Sequence, residues 1–221
     1  MRFDILTLFP NIIESYINES IIKRAINNKL IEVNIVNIRN YTLLKNGQVD
    51  DTPYGGGAGM VLMCEPVVRA IESVKKEDTK VYLLSPQGKV FNDKIAEELI
   101  NECKHIVLVC GHYEGFDERI KNFVDGEISI GDFVLTGGEL PALVILDTVS
   151  RFIPGVIAND SFNNDSFKNN LLDYPVYTKP REFRGLSVPE VLLSGNHKKI
   201  KEYRESEQIR VTKEKRPDLL K

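Results

Sequence analysis

Apolar residues follow two spacings along this chain, one typical of strands and the other of helices. Short apolar runs predict strands at RFDILTLF, IEVNIVNI, KVYLLSP and HIVLVCG. Between the first two runs, an apolar stripe from Ile13 to Ala25 predicts one helix over NIIESYINESIIKRAINN. The segments EPVVRAIESVKK, DKIAEELINE and LPALVILDTVSRF predict further helices, and DERIKNFV predicts a short one. Strands that alternate with helices predict an α/β fold with a parallel sheet covered on both faces.

Small residues follow three of the predicted strands. The segment IGDFVLTGGELPA, residues 130–142, reads as a short strand that meets two glycines and then a Pro-led helix. Its end resembles the ends LLSPQG and LVCGHYEG of two other strands. One glycine pair is typical of a tight turn, but three such ends favour a ligand site, because ligands of open α/β sheets bind outside the carboxyl ends of strands.

The chain changes character after Pro154 and Gly155. Residues 156–175 are rich in Asn, Asp and Ser, which predicts a linker or an ordered loop, and residues 176–221 return to helical patterns. Up to residue 175 the chain carries 17 Lys and Arg against 25 Asp and Glu, whereas the remainder carries 12 against 7. A basic segment on an acidic body is typical of nucleic-acid binding, although the charge alone fits a solvated helical face equally well.

The sequence gives little support for a membrane protein, for disulfide bonds or for a metal site. No run approaches the ~18 apolar residues of a membrane span and no export signal is visible, so we expect a cytoplasmic protein without a membrane partner. Cys64, Cys103 and Cys110 lack metal or redox spacing and are expected to be reduced and buried. We expect His105 to be structural, and His112 lies beside the predicted site without a carboxylate or Ser at triad spacing.

The glycine cluster DDTPYGGGAGM, residues 50–60, is a weak nucleotide-binding signal. The residues before the glycines are typical of a loop rather than of a strand, and Met60 occupies the place of the last glycine of the dinucleotide motif. The cluster therefore predicts a flexible or tightly folded loop, and an NAD-dependent enzyme is disfavoured.

Several longer motifs together carry a family resemblance. In order, DDTPYGGGAGM, YLLSPQG, VCGHYEGFDERI, IGDFVLTGGELPA, SRFIPGV, LLDYPVYTKP and VLLSGNH are similar to the bacterial tRNA (guanine-N1)-methyltransferases known as TrmD. The resemblance covers nearly the whole chain. It implies a SPOUT-class fold, an α/β parallel sheet whose C-terminal part forms a trefoil knot, followed by a small, mostly helical domain. A catalytically silent α/β RNA-binding module is the alternative.

The resemblance also implies an activity and a division of labour. The protein would use S-adenosylmethionine to methylate N1 of the guanosine on the 3′ side of the tRNA anticodon, position 37, as a homodimer. Residues 1–155 would form the knotted methyl-donor domain, residues 156–175 the interdomain loop with the catalytic Asp, and residues 176–221 the basic tRNA-binding domain.

The resemblance implies a donor site gripped mainly by backbone atoms, with the adenosine half at the two glycines of IGDFVLTGGELPA. Phe133 stands where the family frequently has Tyr, so a hydroxyl is lost there. The implied residues are Leu83, Leu84, Ser85, Pro86, Gly111, Tyr113, Glu114, Ile130, Gly131, Phe133, Leu135, Gly137, Gly138 and Pro141.

Two further residues are implied in the chemistry. Asp165 would remove the N1 proton of guanine, and Arg151 would stabilise the charge that develops at O6. The chain contains DSF twice, at Asp160 and Asp165, but only Asp165 lies eight residues before the Asp of LLD, as in the family pattern. Arg151 also fits a cation that favours the end of its helix. The family implies Mg²⁺, for which the sequence offers no ligand set.

Overall fold

The computed structural model describes residues 1–158, 162 and 165–220. The chain forms two compact units, Met1–Ile157 and Ala158–Lys221. No helix in the described part of the chain is long and apolar enough to cross a membrane.

A five-stranded parallel sheet forms the centre of the first unit. Its strands are β1 Arg2–Thr7, β2 Glu32–Asn37, β5 Thr79–Val90, β6 His105–Cys110 and β7 Gly126–Ser129, and a separate antiparallel pair is formed by β3 Asp50–Asp51 and β4 Val61–Leu62. The spatial order is β2-β1-β6-β5-β7, with every neighbouring pair parallel. The helices are α1 Pro10–Ile17, α2 Ser20–Asn27, α3 Cys64–Val74, α4 Asp93–Glu102 and α5 Glu139–Arg151. The predicted α/β class with a parallel sheet is confirmed.

Apolar side chains cover both faces of this sheet. All six residues of β6 are buried, as the continuous apolar run predicted. Ile106 and Leu108 belong to a cluster with residues of α1, α2, α4 and α5, whereas Val107 and Val109 belong to a second cluster with residues of α3. The alternation of β6 side chains between two cores fixes the register of the strands that carry the site.

The first helical segment differs from the prediction of one helix. It is broken between α1 and α2, and Ser20 has a φ of 51°, in the left-handed region. Asn18 ends α1, where its side-chain amide donates to the carbonyl oxygen of Glu14 at 2.9 Å. The apolar spacing continues across the break because Ile13, Ile22 and Ala25 all face the same core, so periodicity alone did not reveal it.

The segment at 130–138 also differs from the prediction, since it is a loop rather than a strand. The true strand, β7, ends just before it at Ser129. Phe133 and Val134 are 54% and 84% exposed, so these apolar residues lie at a surface rather than in the core of a sheet.

The cysteines match the prediction in part. Cys103 and Cys110 are buried as predicted, whereas Cys64 is half-buried, and all three are free thiols.

A polar network ties the amino ends of the strands together. Asp4 is completely buried in β1 and accepts hydrogen bonds from Arg2 at 2.8 and 3.0 Å and from the side chains of Asn34 and His105. The other ring nitrogen of His105 lies 2.7 Å from the Thr79 hydroxyl. Burial alone would raise the pKa of Asp4, but these hydrogen bonds outweigh it and hold the pKa below its usual value. His105 is therefore structural, as predicted.

The second unit is small and mostly helical where it is regular. It contains β8 Glu182–Phe183, β9 Leu186–Ser187, α6 Glu190–Leu193 and the long α7 His197–Lys215. Thr212, buried on α7, accepts a hydrogen bond from the backbone N–H of Leu172 at 2.9 Å. Asn170 has a φ of 58°, a left-handed conformation that Asn tolerates better than most residues.

Candidate functional site: a cavity at the carboxyl ends of the strands

One cavity of about 350 Å³ lies where β6 and β7 end, beside residues 84–87 of β5, and this is the edge of the sheet that the sequence predicted. We call it the sheet-end cavity. Its walls come from residues 84–87 of β5, where the register with β7 shifts, from the loop after β6 and from the segment that leads from β7 into α5. Its size lies within the ~300–1,000 Å³ that small-molecule sites usually occupy.

Nearly all the residues implied for the donor pocket line this cavity. The exception is Leu83, whose side chain is completely buried in β5 within the cluster on the α3 side. Alternation along the strand explains this, because neighbouring Leu84 points to the other face. The lining residues that were predicted are Leu84, Ser85, Pro86, Gly111, Tyr113, Glu114, Ile130, Gly131, Phe133, Leu135, Gly137, Gly138 and Pro141.

The glycine pair is required by the protein's own packing. A Cβ on Gly138 would lie 2.6 Å from Cys110 Cα and 2.7 Å from the Gly111 nitrogen. A Cβ on Gly137 would overlap the imidazole of His112 and lie 2.6 Å from a carboxylate oxygen of Glu139. The protein's own atoms therefore leave no room for a side chain at either glycine. The turn between β7 and α5 is pressed directly onto the end of β6.

A side-chain cluster that sequence reasoning missed holds this turn. The buried Glu139 carboxylate lies 2.8 and 2.9 Å from Nε2 of His112 and accepts a hydrogen bond from the Thr7 hydroxyl at 2.5 Å. Thr7 is the last residue of β1, and its hydroxyl oxygen accepts the backbone N–H of Phe9 at 2.9 Å. The Phe9 and His112 ring centroids are 4.8 Å apart. His112 thus has the carboxylate partner that its neighbours in sequence did not supply.

The thiol of Cys110, next to the cavity residue Gly111, is not poised to react. Cys110 is the last residue of β6 and is completely buried. Burial, and secondarily the nearby charge of Glu139, raises the pKa of its thiol well above the usual value. A neutral thiol is a poor nucleophile, so the chemistry of the cavity does not run through Cys110.

The cavity rim carries a compact charged group, also missed from the sequence. The Lys121 ammonium lies 2.9 Å from Glu118, 3.2 Å from Glu127 and 3.0 Å from the Gln87 side-chain oxygen. All four residues line the cavity. They come from β5, β7 and the 3₁₀ helix Glu118–Phe123, so only the folded sheet brings them together.

The glycine cluster is attached to one wall of the cavity. The backbone N–H of Glu114 donates to the carbonyl oxygen of Met60 at 2.9 Å. A Cβ on Gly59 would lie 2.5 Å from the Glu114 side chain, and Gly59 has a φ of 83°. The cluster is therefore a tightly turned loop packed on Glu114, one of the two forms that the sequence predicted.

The two implied catalytic residues belong to different units. Arg151 is the last residue of α5 in the first unit, where it is half-buried. Asp165 lies in the second unit, also half-buried, and Asp173 follows with its backbone N–H bonded to Ser166 Oγ at 3.0 Å. The competing Asp160 lies outside the described residues. Their role in one site remains a prediction.

Metal binding receives no support from the described residues. Among them, no group of three or more His, Cys, Asp or Glu side chains is arranged to hold a metal ion.

Comparison with known proteins identifies the family. The family model for tRNA (Guanine-1)-methyltransferase TrmD matches residues 1–221. A tRNA (guanine-N(1)-)-methyltransferase of Mycoplasma capricolum is 57% identical over all of this chain and 92% of its own length. Proteins of the same name from Malacoplasma penetrans and Staphylococcus epidermidis are 56% and 54% identical, covering 99% and 100% of this chain and 96% and 91% of their own lengths. With the glycine turn and strand ends assembled into one cavity, this chain belongs to the TrmD family of tRNA (guanine-N1)-methyltransferases.

Proposed function

We propose that this protein transfers a methyl group from S-adenosylmethionine to N1 of a guanosine in tRNA, at position 37 on the 3′ side of the anticodon. The observation that carries the proposal is the sheet-end cavity, built from the family's own motif residues in a chain that matches relatives of this name over its full length. A trefoil knot formed by the C-terminal part of the first unit belongs to the same proposal. The silent RNA-binding alternative is not favoured, because it leaves the cavity without a role.

The cavity fits a methyl donor of this kind. Small residues expose backbone groups at its strand ends, which suits the polar edges of an adenosine. Apolar walls suit the base itself, since Leu84, Pro86, Ile130, Leu135 and Pro141 all line the space. When bound, the donor supplies a methyl group on a positively charged sulfonium. Phe133 lacks the hydroxyl of the family's Tyr, but its ring is 54% exposed and is available to pack against the donor.

The proposed chemistry assigns one proton and one charge to the protein. Neutral guanine carries a proton on N1, so a base must accept it as the methyl group arrives, and Asp165 takes that role. The electron pair that leaves N–H develops negative charge at O6, which the Arg151 guanidinium stabilises. The N1–CH₃ bond forms as the S–CH₃ bond of the donor breaks, and the electron pair of that bond stays on sulfur, which leaves neutral S-adenosylhomocysteine. The Asp165 carboxylate is protonated in this step and then releases the proton to solvent.

A homodimer belongs to the same proposal. An exposed apolar strip runs along α1 and α5, in which Ile12, Tyr16, Leu140 and Val144 are 42%, 40%, 56% and 44% exposed. The two helices are joined there by the Tyr16 hydroxyl, which donates to Asp147 at 2.5 Å. This hydrogen bond raises the Tyr16 pKa to about 12, so the side chain is neutral and suited to burial. A second copy of the chain would cover this strip.

Residues 176–221 would hold the tRNA, with residues 156–175 as the interdomain loop. Within α7, Arg210 is paired with Glu207 and Glu214 at 2.7 and 3.0 Å, and Arg216 with Asp218 at 2.6 Å just beyond the helix. Lys198 and Lys199, at the start of α7, are exposed, and no acidic side chain of the described residues lies within 4 Å of either amine. We therefore assign phosphate contacts first to these two lysines.

Mapping the methylated nucleotide tests the proposal. Purified protein, S-adenosylmethionine and a tRNA transcript with G37 are incubated, and the product is digested and analysed by mass spectrometry. We expect 1-methylguanosine at position 37 and no product from a transcript with adenosine there. Methylation at another atom or position, or none with a protein that binds the donor, contradicts the proposed function.

A further inference from the structure

We propose that His112 is a positioning residue for the methyl donor, because its imidazole holds Glu139 and thereby fixes the Gly137–Gly138 turn that walls the sheet-end cavity. This inference rests on the proposed function, since it concerns how the same cavity takes S-adenosylmethionine. No role in proton transfer is assigned to the imidazole.

The hydrogen bonds around Glu139 connect three elements. Glu139 is the first residue of α5, and its carboxylate receives one donor from the end of β1, Thr7, and one from the loop after β6, His112. The side chain of Glu139 is 4% exposed and that of His112 is 13% exposed. A carboxylate so deeply buried depends on these donors, because water cannot replace them without the helix start moving outward.

The imidazole also shapes the turn directly. His112 and Gly137 form an antiparallel bridge through their backbones, and the Gly138 N–H donates to the Gly111 carbonyl oxygen at 2.9 Å. The ring of His112 occupies the space that a side chain at Gly137 would need. His112, Gly137 and Gly138 all line the cavity, whereas Glu139 stands behind them. Glu139 therefore does not line the cavity itself and affects the cavity wall through His112 and the turn.

Loss of the imidazole would leave the buried carboxylate with the Thr7 hydroxyl as its remaining side-chain donor among the described residues. The turn would relax so that Glu139 could reach water, and a gap would open beside Gly137. Both changes alter the wall of the cavity before any donor arrives, so the energetic cost falls on donor binding. A replacement that keeps a hydrogen-bond donor at this place would retain much of the wall.

The experiment compares three histidine variants of the full-length protein. In His112→Leu the side chain is apolar and cannot donate, whereas in His112→Gln an amide N–H can reach Glu139. His105→Leu is the matched control, because it removes the other histidine that is bound to a buried carboxylate, at the amino ends of the strands. S-adenosylmethionine affinity is measured by calorimetry, thermal melting reports folding, and single-turnover methylation of tRNA is followed at saturating donor.

We expect His112→Leu to raise the Kd for S-adenosylmethionine at least about tenfold, while the rate at saturating donor stays within about threefold of the parent. His112→Gln should restore most of the affinity. His105→Leu should melt at a lower temperature with an unchanged Kd. If His112→Leu does not fold, His112→Gln alone decides, since the proposal requires it to fold and bind within about threefold of the parent.

An unchanged Kd in His112→Leu overturns the proposal, as does a tenfold loss in His112→Gln. A lost rate at saturating donor with intact affinity also overturns it, because the imidazole would then act in the chemical step. The parent protein serves as the reference for function. If it binds the donor and methylates tRNA, failure of the histidine pattern concerns His112 alone; if it does neither, the proposed function itself fails.

Discussion

At each end of β6 a histidine contacts a buried carboxylate, but the surroundings of the two pairs differ. At the amino end, His105 contacts the buried Asp4 and also binds Thr79, so both ring nitrogens have partners inside the protein. At the carboxyl end, His112 contacts the buried Glu139 through Nε2, and no described residue hydrogen-bonds to its Nδ1. The comparison teaches that the His105–Asp4 pair joins strands within the sheet, whereas the His112–Glu139 pair lies at the wall of the sheet-end cavity.

The two carboxylates differ in the same way. Asp4 lies within β1 and is bound by side chains of three strands, two of them neighbours of β1 in the sheet. Glu139 begins a helix, directly after a turn that lines the cavity. Changes at the amino end should therefore lower the free energy of unfolding and leave donor binding intact, whereas changes at the carboxyl end should weaken donor binding.

The largest expected effect comes from a residue at neither end of β6, Asp165, and concerns the chemical step alone. Asp165→Asn keeps the size of the side chain but cannot accept the N1 proton, so single-turnover methylation should slow by ~10²- to 10⁴-fold. The Kd for S-adenosylmethionine and the melting temperature should hardly change. Asp160→Asn is the control and should cost little. A crippled Asp160→Asn with an active Asp165→Asn would show that the register of the DSF copies is wrong.

The second prediction breaks the amino end. Asp4→Ala leaves Arg2 and His105 without their shared acceptor, and the free energy of unfolding should fall by about 3 kcal/mol. Urea denaturation at neutral pH measures this change. Because the sheet-end cavity lies at the other end of the strands, the donor Kd of the folded variant should match that of the parent. A large loss of affinity would mean that the two ends are coupled.

The third prediction breaks the carboxyl end by adding one methyl group. Gly138 has a φ of −83°, which Ala adopts without strain, so the cost of Gly138→Ala comes from the contacts with the Cys110–Gly111 backbone. We expect the donor Kd to rise about 100-fold. Gly126→Ala is the matched control, since its Cβ would meet only the Tyr82 ring at 3.6 Å. Equal affinity of the two variants would contradict the packing of the turn.

Much of the sheet was predictable, and the errors have physical causes. Residues 106–110 are all apolar, as expected for a strand buried on both faces, so β6 could be predicted without knowing its neighbours in the sheet. The exposed apolar residues at 130–138 gave the same pattern, so a cavity wall was read as a strand. The break at Asn18 was hidden because both helices keep one apolar face toward the same core.

The side-chain cluster at the carboxyl end could not have been found from the sequence. His112 and Glu139 are separated by 27 residues, and Thr7 lies 132 residues before Glu139. Only the parallel order of the strands brings these residues together. The sequence contained one hint, Glu139 itself, which is a carboxylate directly after the two glycines of the predicted strand end.

The smallest expected effect is the pH dependence of the stability that Asp4 contributes at the amino end. The pKa of folded Asp4 lies below its usual value, so this group contributes stability that is present above about pH 4 and is lost as the pH falls through the folded pKa. The free energy of unfolding in urea should therefore fall more steeply in that acidic range for the parent than for Asp4→Asn. Parallel curves for the two proteins would mean that Asp4 does not contribute through its charge.

Histidine NMR gives the most direct test of the claim that the methyl donor binds at the carboxyl end of the sheet. The chain has three histidines, His105 and His112 at the two ends of β6 and His197 at the start of α7, and single variants assign their signals in protein labelled with ¹⁵N-histidine. On addition of S-adenosylmethionine, we predict that the ring signals of His112 shift while those of His105 and His197 stay in place. Binding that leaves His112 unmoved, or that shifts His105 instead, would contradict the account.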